Sequence, residues 1–183
     1  MNESIGDYMR FLCGDTDGLA CIIRDYKDGL MLYINSIVQN LEIAEELTEE
    51  IFVKLVVKKP RFSAASSFKT WLYAIGRNEA LSYLRCRKHS YIPLENCLEI
   101  SDEEDLECRY IQKEQNRVLH CVMKKLKPEY EQVLWLVYFE GFSHKETARI
   151  MGKSVHNVET LVYRARQALK TKLLEEGFHF EEL

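Results

Sequence analysis

The stretch that decides the fold runs from Phe142 to Leu169, FSHKETARIMGKSVHNVETLVYRARQAL. It predicts two helices joined by a tight turn. Ser143 is placed to cap the first, and Glu146, three residues on, to close a capping box. Ala148 is small where two crossing helices must approach closely. Gly152 suits the left-handed turn conformation that a residue with a side chain resists. Ser154 then caps a second helix whose Val155, Val158, Leu161 and Val162 recur at helical spacing. The interval from Ala148 through Gly152 to Val158 is that of a helix-turn-helix, whose second helix enters the DNA major groove. An ordinary helical hairpin would need only the caps and the glycine. Arg164, Arg166, Lys170 and Lys172 follow with no acid among them, and they favour DNA.

Immediately upstream, Tyr130 to Phe139 is the most apolar run of this half. Its Val133, Leu134, Leu136, Val137 and Tyr138 predict the core on which the motif rests, with Gly141 ending the run. Pro128 suits a helix start, where its missing N–H costs nothing. Gln115 to Leu126 predicts another helix, with Val118, Leu119, Val122, Met123 and Leu126 inward. Four short helices would make a self-standing DNA-binding domain. Charge is segregated along the chain. Lys124 to Lys172 holds ten Lys or Arg against five Glu, a balance of +5, whereas Glu95 to Glu114 holds eight acids against two bases, a balance of −6. A basic module on an acidic connector is the simplest account. Residues 91–114 read as that linker, opened by a proline and poor in core-forming residues.

In the N-terminal half, one helix is expected from about Gly18 to Asp28 and another from Gly29 to Gln39. Leu41 to Lys58 carries a buried stripe of Ala44, Leu47, Thr48, Ile51, Phe52 and Leu55. Glu45, Glu46, Glu49 and Glu50 fill the other face, with Lys54 alone to offset them. Acids near a helix start are favoured by the macrodipole. A face this negative suits a basic partner helix as well as it suits water. Lys58 to Ser67 is a loop with one aromatic, Phe62. Phe68 to Arg87 is a helix on which Trp71, Ile75, Asn78 and Ser82 share a line, with Arg77, Arg85, Arg87, Lys88 and His89 supplying positive charge. An aromatic beside an amide and basic groups has the composition of a single-strand or flipped-base surface. A helix packed through Trp71, Leu72 and Ile75, its charges merely solvated, accounts for the same pattern.

Three prolines and eight glycines among long amphipathic runs point to an all-helical protein. The opening residues lack a basic start followed by a long apolar run, so no secretory signal is expected. No window is apolar enough to span a bilayer. Six cysteines are scattered without a Cys-x-x-Cys pair. They read as reduced thiols of a cytoplasmic protein rather than as a metal or disulfide framework. No paired His and acid, phosphate-cradling loop or metal-ligand spacing suggests an enzyme, and no cofactor is called for.

The order of parts resembles the extracytoplasmic-function group of bacterial RNA polymerase sigma-70 factors, the minimal two-domain members. AEELTEEIF (Ala44 to Phe52) looks like the clamp-binding helix of the sigma-2 domain. FKTWLYAIGRNEALSYLRCRK (Phe68 to Lys88) is similar to the helix that melts the promoter and reads its minus-ten element. LKPEYEQVLWLVYFEGFSHKETARIMGKSVHNVETLVYRARQALKTKL (Leu126 to Leu173) resembles the sigma-4 domain. The resemblance implies a sigma-2 domain over residues 1–90, the acidic linker, and a sigma-4 domain over 115–183.

The same resemblance implies roles for individual residues. Glu46, Glu49 and Glu50 would contact the clamp of core RNA polymerase, with Glu46 where the family usually has Asp and Glu49 where it often has Gln. Asn78 matches the asparagine near the flipped minus-ten base, in a pocket completed by Trp71, Phe62, Ser66 and Ser67. Arg77, Arg85, Arg87 and Lys88 would hold phosphates. His156, Asn157, Glu159, Thr160, Tyr163 and Arg164 would face minus-thirty-five DNA. Glu159 departs from a position that is often basic; a carboxylate there accepts from cytosine N4 but is repelled by phosphate. An anti-sigma factor is the further partner the resemblance implies. A conventional helix-turn-helix regulator with an N-terminal sensory or dimerising domain is the alternative, but it has no need of an acidic clamp face followed by a Trp-Asn basic helix.

Overall fold

The computed structural model describes residues 3–62, 66–89 and 114–176. Within them every regular element is helical: α1 (Glu3–Leu12), α2 (Thr16–Val38), α3 (Leu41–Lys58), α4 (Phe68–His89), α5 (Glu114–Lys124), α6 (Pro128–Leu134), α7 (His144–Met151) and α8 (Val155–Glu175). The expected linker lies outside the described residues, apart from its last position.

Local side-chain chemistry sets most helix ends. The Asp15 carboxylate accepts the Asp17 N–H at 2.9 Å and starts α2. The Asn40 side-chain Oδ1 accepts the Ile43 N–H at 2.7 Å and starts α3. Both helices stop at a left-handed residue with a side chain, Gln39 at φ 54° and Lys59 at φ 41°. One expectation is corrected. A break at Gly29 does not occur, and α2 runs unbroken for 23 residues. Gly29 is there for space: a Cβ on it would lie 2.6 Å from both Glu140 Oε1 and the Tyr73 hydroxyl. The helix α1 precedes what sequence periodicity suggested; its Tyr8 and Phe11 are buried, and the Tyr8 ring packs on the aromatic start of α4.

In the second half, α6 opens on Pro128 and then widens into a π-helical turn, Trp135–Phe139. The wide turn stacks Trp135 on Phe139, with ring centroids 4.5 Å apart. It also delivers the Glu140 N–H to the Trp135 carbonyl at 3.1 Å. The buried side chains of the two halves are continuous. Tyr73 of α4 meets Phe142 edge-on at 5.0 Å, and α7 lies along α4.

Candidate nucleic-acid interface

The turn between α7 and α8 has the geometry its sequence dictates. Ser143 Oγ accepts the Glu146 N–H at 3.3 Å, while the Glu146 carboxylate accepts from the Ser143 N–H at 3.1 Å and its Oγ–H at 2.7 Å. Gly152 adopts φ 64° and ψ 36°, where an L-residue with a Cβ is strained. Ser154 then caps α8 through the Asn157 N–H at 3.2 Å. Ala148, Val158, Val162 and Ala165 are buried between the helices. That burial fixes which face of α8 looks outward. His156, Asn157, Glu159, Tyr163 and Arg164 are exposed and Thr160 is half-exposed, its hydroxyl donating to the His156 carbonyl at 3.1 Å. The expected minus-thirty-five set is thus brought together on one face, along which Arg166 and Lys170 are also exposed.

The second candidate surface lies on α4. Phe62 and Trp71 meet edge-on at 5.5 Å, and both rings pack on Phe68. They belong to the aromatic cluster that Tyr8 completes. Asn78 is exposed two turns on. Ser66 is half-buried in the approach to α4, and Ser67 caps that helix by accepting the Thr70 N–H at 3.1 Å. Arg85 and Arg87 are exposed, and Arg85 donates to Ser82 Oγ at 3.0 Å. Lys88 belongs to the last turn of α4. Arg77 stands apart from them. It is half-buried with its Nε enclosed and without a hydrogen-bond partner, and it opposes the burial that pushes the Tyr33 hydroxyl pKa up.

On α3 the stripe from Ala44 to Leu55 is buried as expected, and Glu45, Glu46, Glu49 and Glu50 are exposed. Glu46, Glu49, Glu50, Val53 and Lys54 line a shallow groove. The offset of these acids is shared more widely than the sequence suggested. Lys27 of α2 reaches Glu49 at 3.4 Å and Glu45 at 3.7 Å. Lys54 reaches Glu50 at 3.3 Å and Glu79 at 2.8 Å. Sequence reasoning missed Lys27 because the pairing spans 22 positions, and it missed Val53, 59% exposed, because an apolar residue off the buried stripe has no periodic signal.

Residues 22–90 match the family model described as Sigma-70 region 2, and residues 116–169 match that of Sigma-70, region 4. The sigma factor YlaC of Bacillus subtilis is 33% identical over 166 residues, spanning 86% of this chain and 92% of the relative. The chain belongs to the sigma-70 family. Within it this sigma factor falls in the extracytoplasmic-function group, whose member SigW of the same organism is 28% identical over 87% of this chain and 91% of its own. Its fold is that of the sigma factor RpoE from Bartonella quintana, solved in complex with the anti-sigma factor NepR. That likeness has a TM-score of 0.65 at 21% identity, over 85% of this chain and 96% of that one. CnrH, solved with the cytosolic domain of CnrY, gives a TM-score of 0.66 at 20% identity, over 94% and 97%. Sigma factors are DNA-binding initiation factors rather than enzymes. Among the described residues no helix is long and apolar enough to cross a membrane.

Proposed function

We propose that this chain is a cytoplasmic initiation factor that docks on core RNA polymerase and brings it to promoters through two separate DNA contacts. In this reading residues 1–90 form the body that binds polymerase and melts DNA, 91–114 the tether, and 115–183 the duplex-reading body. The observation that carries it is the outward face of α8, where His156, Asn157, Glu159, Thr160, Tyr163 and Arg164 stand clear of the core on a capped helix-turn-helix. Asn157 and Thr160 supply neutral hydrogen bonds to base edges, and Arg164 a contact to guanine or phosphate. Asn78 with Trp71, Phe62, Ser66 and Ser67 receives an extruded minus-ten base; extrusion costs a few kcal/mol, which stacking and pocket contacts offset. Arg77, Arg85, Arg87 and Lys88 hold phosphates, Arg77 only after the guanidinium, whose Nε is enclosed, turns outward. Glu46, Glu49 and Glu50 form the acidic face for the polymerase clamp, with Val53 giving that face an apolar patch. An anti-sigma factor covering these surfaces is the further partner proposed.

The test is run-off transcription with purified core RNA polymerase and no other sigma factor, followed by sequencing of the start sites. Defined starts are expected. The doubly charge-reversed variant Glu46→Lys with Glu50→Lys should lose co-elution with core enzyme while keeping its helical content. A chain that neither co-elutes nor initiates would overturn the reading.

A further inference from the structure

We infer that α1, which precedes the residues shared with Sigma-70 region 2, is the buttress of the proposed minus-ten pocket, and that Tyr8 is the residue that positions the pocket's two aromatic walls. The helix is only ten residues long, too short to hold its shape without packing. Two features of the adjoining helix seat it. Gly18 of α2 lets the two backbones touch, since a Cβ there would collide with the Asp7 carbonyl oxygen and lie 3.0 Å from the Phe11 nitrogen. Neither backbone atom can turn aside as a side chain could. Arg10 then reaches Asp7 within α1 at 3.2 Å and Asp15, the cap of α2, at 2.7 Å.

From that seat Tyr8 grips both sides of the pocket. Its hydroxyl donates to the Pro60 carbonyl at 2.7 Å, across 52 positions of sequence. Pro60 belongs to the irregular stretch that follows α3. The Tyr8 ring packs on Phe68 at 5.1 Å and on Trp71 at 5.7 Å, both at the start of α4. Two residues beyond Pro60, Phe62 rests edge-on against the same pair, 6.0 Å from Phe68 and 5.5 Å from Trp71. The Lys59 ammonium adds a weaker tie to α1, 5.2 Å from the centre of the Phe11 ring. Tyr8 is buried, whereas Phe62 and Trp71 are half-buried. The residue that sets the walls is therefore hidden from a strand, and the walls themselves are not.

A base that leaves the stack loses its neighbours and recovers that loss only from rings that stand where it arrives. Ordering a loop or an aromatic side chain at the moment of binding subtracts from affinity, and holding it beforehand removes that cost. The Tyr8 hydroxyl holds the loop, and its ring holds the first turn of α4. Without the hydroxyl, the stretch from Lys59 to Phe62 samples other positions, and apparent affinity falls with the fraction of time the pocket is formed. The meaning of this buttress for an opened strand rests on the function proposed above; the buttress itself does not.

Two variants disturb the buttress by different physics. Tyr8→Phe keeps the ring and removes only the bond to Pro60. Gly18→Ala leaves Tyr8 and the pocket unaltered but drives α1 off its seat. Hydrogen–deuterium exchange of the full chain should be faster from Lys59 to Phe62 in both variants, at near-native helical circular dichroism. Holoenzyme reconstituted with core RNA polymerase is then titrated on a promoter fragment taken from the start-site sequencing and opened by mismatches across its minus-ten element. Tyr8→Phe should bind it about threefold to tenfold more weakly than the native chain, the range set by one hydrogen bond, and Gly18→Ala at least as weakly. A second series of fragments lacks one non-template base at each minus-ten position in turn. At the position where the native chain loses most, both variants should bind as the native chain does, because no base is left to receive. A general loss of stability would instead weaken binding to every fragment alike. Unchanged exchange from Lys59 to Phe62, native affinity for the intact opened fragment, or the same defect on every fragment would each overturn the inference. A native holoenzyme that neither binds the opened fragment nor initiates removes the proposed function, and the exchange measurement then decides the buttress by itself.

Discussion

At the level of single residues, Glu159 and His120 make distinct demands. Glu159 is exposed on the outward face of α8 between Asn157 and Tyr163. Under the proposed function, a carboxylate there would repel phosphate and accept from cytosine, shifting base preference rather than adding affinity. Start-site profiling of Glu159→Lys should show altered preference in the upstream element together with a steeper loss of binding with salt; identical preference would remove Glu159 from the reading set. His120 is buried edge-on to Trp135 at 4.7 Å, and neither ring nitrogen has a hydrogen-bond partner. Burial, with Lys124 adding to it, lowers its pKa to about 4. Because the unfolded chain binds that proton near pH 6.5 and the folded chain does not, stability is full above about pH 6.5 and declines as pH falls toward 4. The loss approaches about 3 kcal/mol, from roughly 1.4 kcal/mol for each pH unit between the two values. Urea midpoints at pH 7 and pH 5 should differ in the native chain, and His120→Phe should flatten that difference.

At the scale of elements, caps were legible in the sequence and contacts between elements were not. Ser143, Glu146, Gly152 and Ser154 act on backbone groups within four positions, so their spacing alone announces α7 and α8. The buried stripe of α3 was equally plain, because burial on one side of a helix repeats every three or four residues. Gly29 misled because a glycine called for by a neighbour 111 positions away looks the same as one that ends a helix. The π turn at Trp135 left no local signal either; its stacked rings and the placement of Glu140 emerge only after folding. Gln39 and Lys59 show the converse, since both occupy left-handed ends of helices that usually carry glycine. Gln39→Gly should therefore raise stability by about 1 kcal/mol, the approximate cost of that conformation for a residue with a Cβ. Thermal unfolding of the single variant measures it, and an unchanged or lower midpoint would show that the strain is absorbed elsewhere.

For the molecule as a whole, the sequence revealed two bodies and their order but not their embrace. Nothing in the sequence around Lys69, Thr70 or Glu140 announces what they meet, since folding is what brings positions about 70 apart within hydrogen-bonding distance. DNA affinity should be dominated by released counterions, with log K falling by about 0.9 for each phosphate contact per tenfold rise in salt. Titrations on a promoter duplex at several salt concentrations should give a shallower slope for Arg85→Gln with Arg87→Gln than for the native chain. An unchanged slope would take those two arginines out of the phosphate set.

The acidic groove of α3 faces solvent while Ser67 at the head of α4 lies under Glu146. Under the proposed roles of these two surfaces, the groove meant for the polymerase is open to a partner while the head of the strand-facing helix is covered.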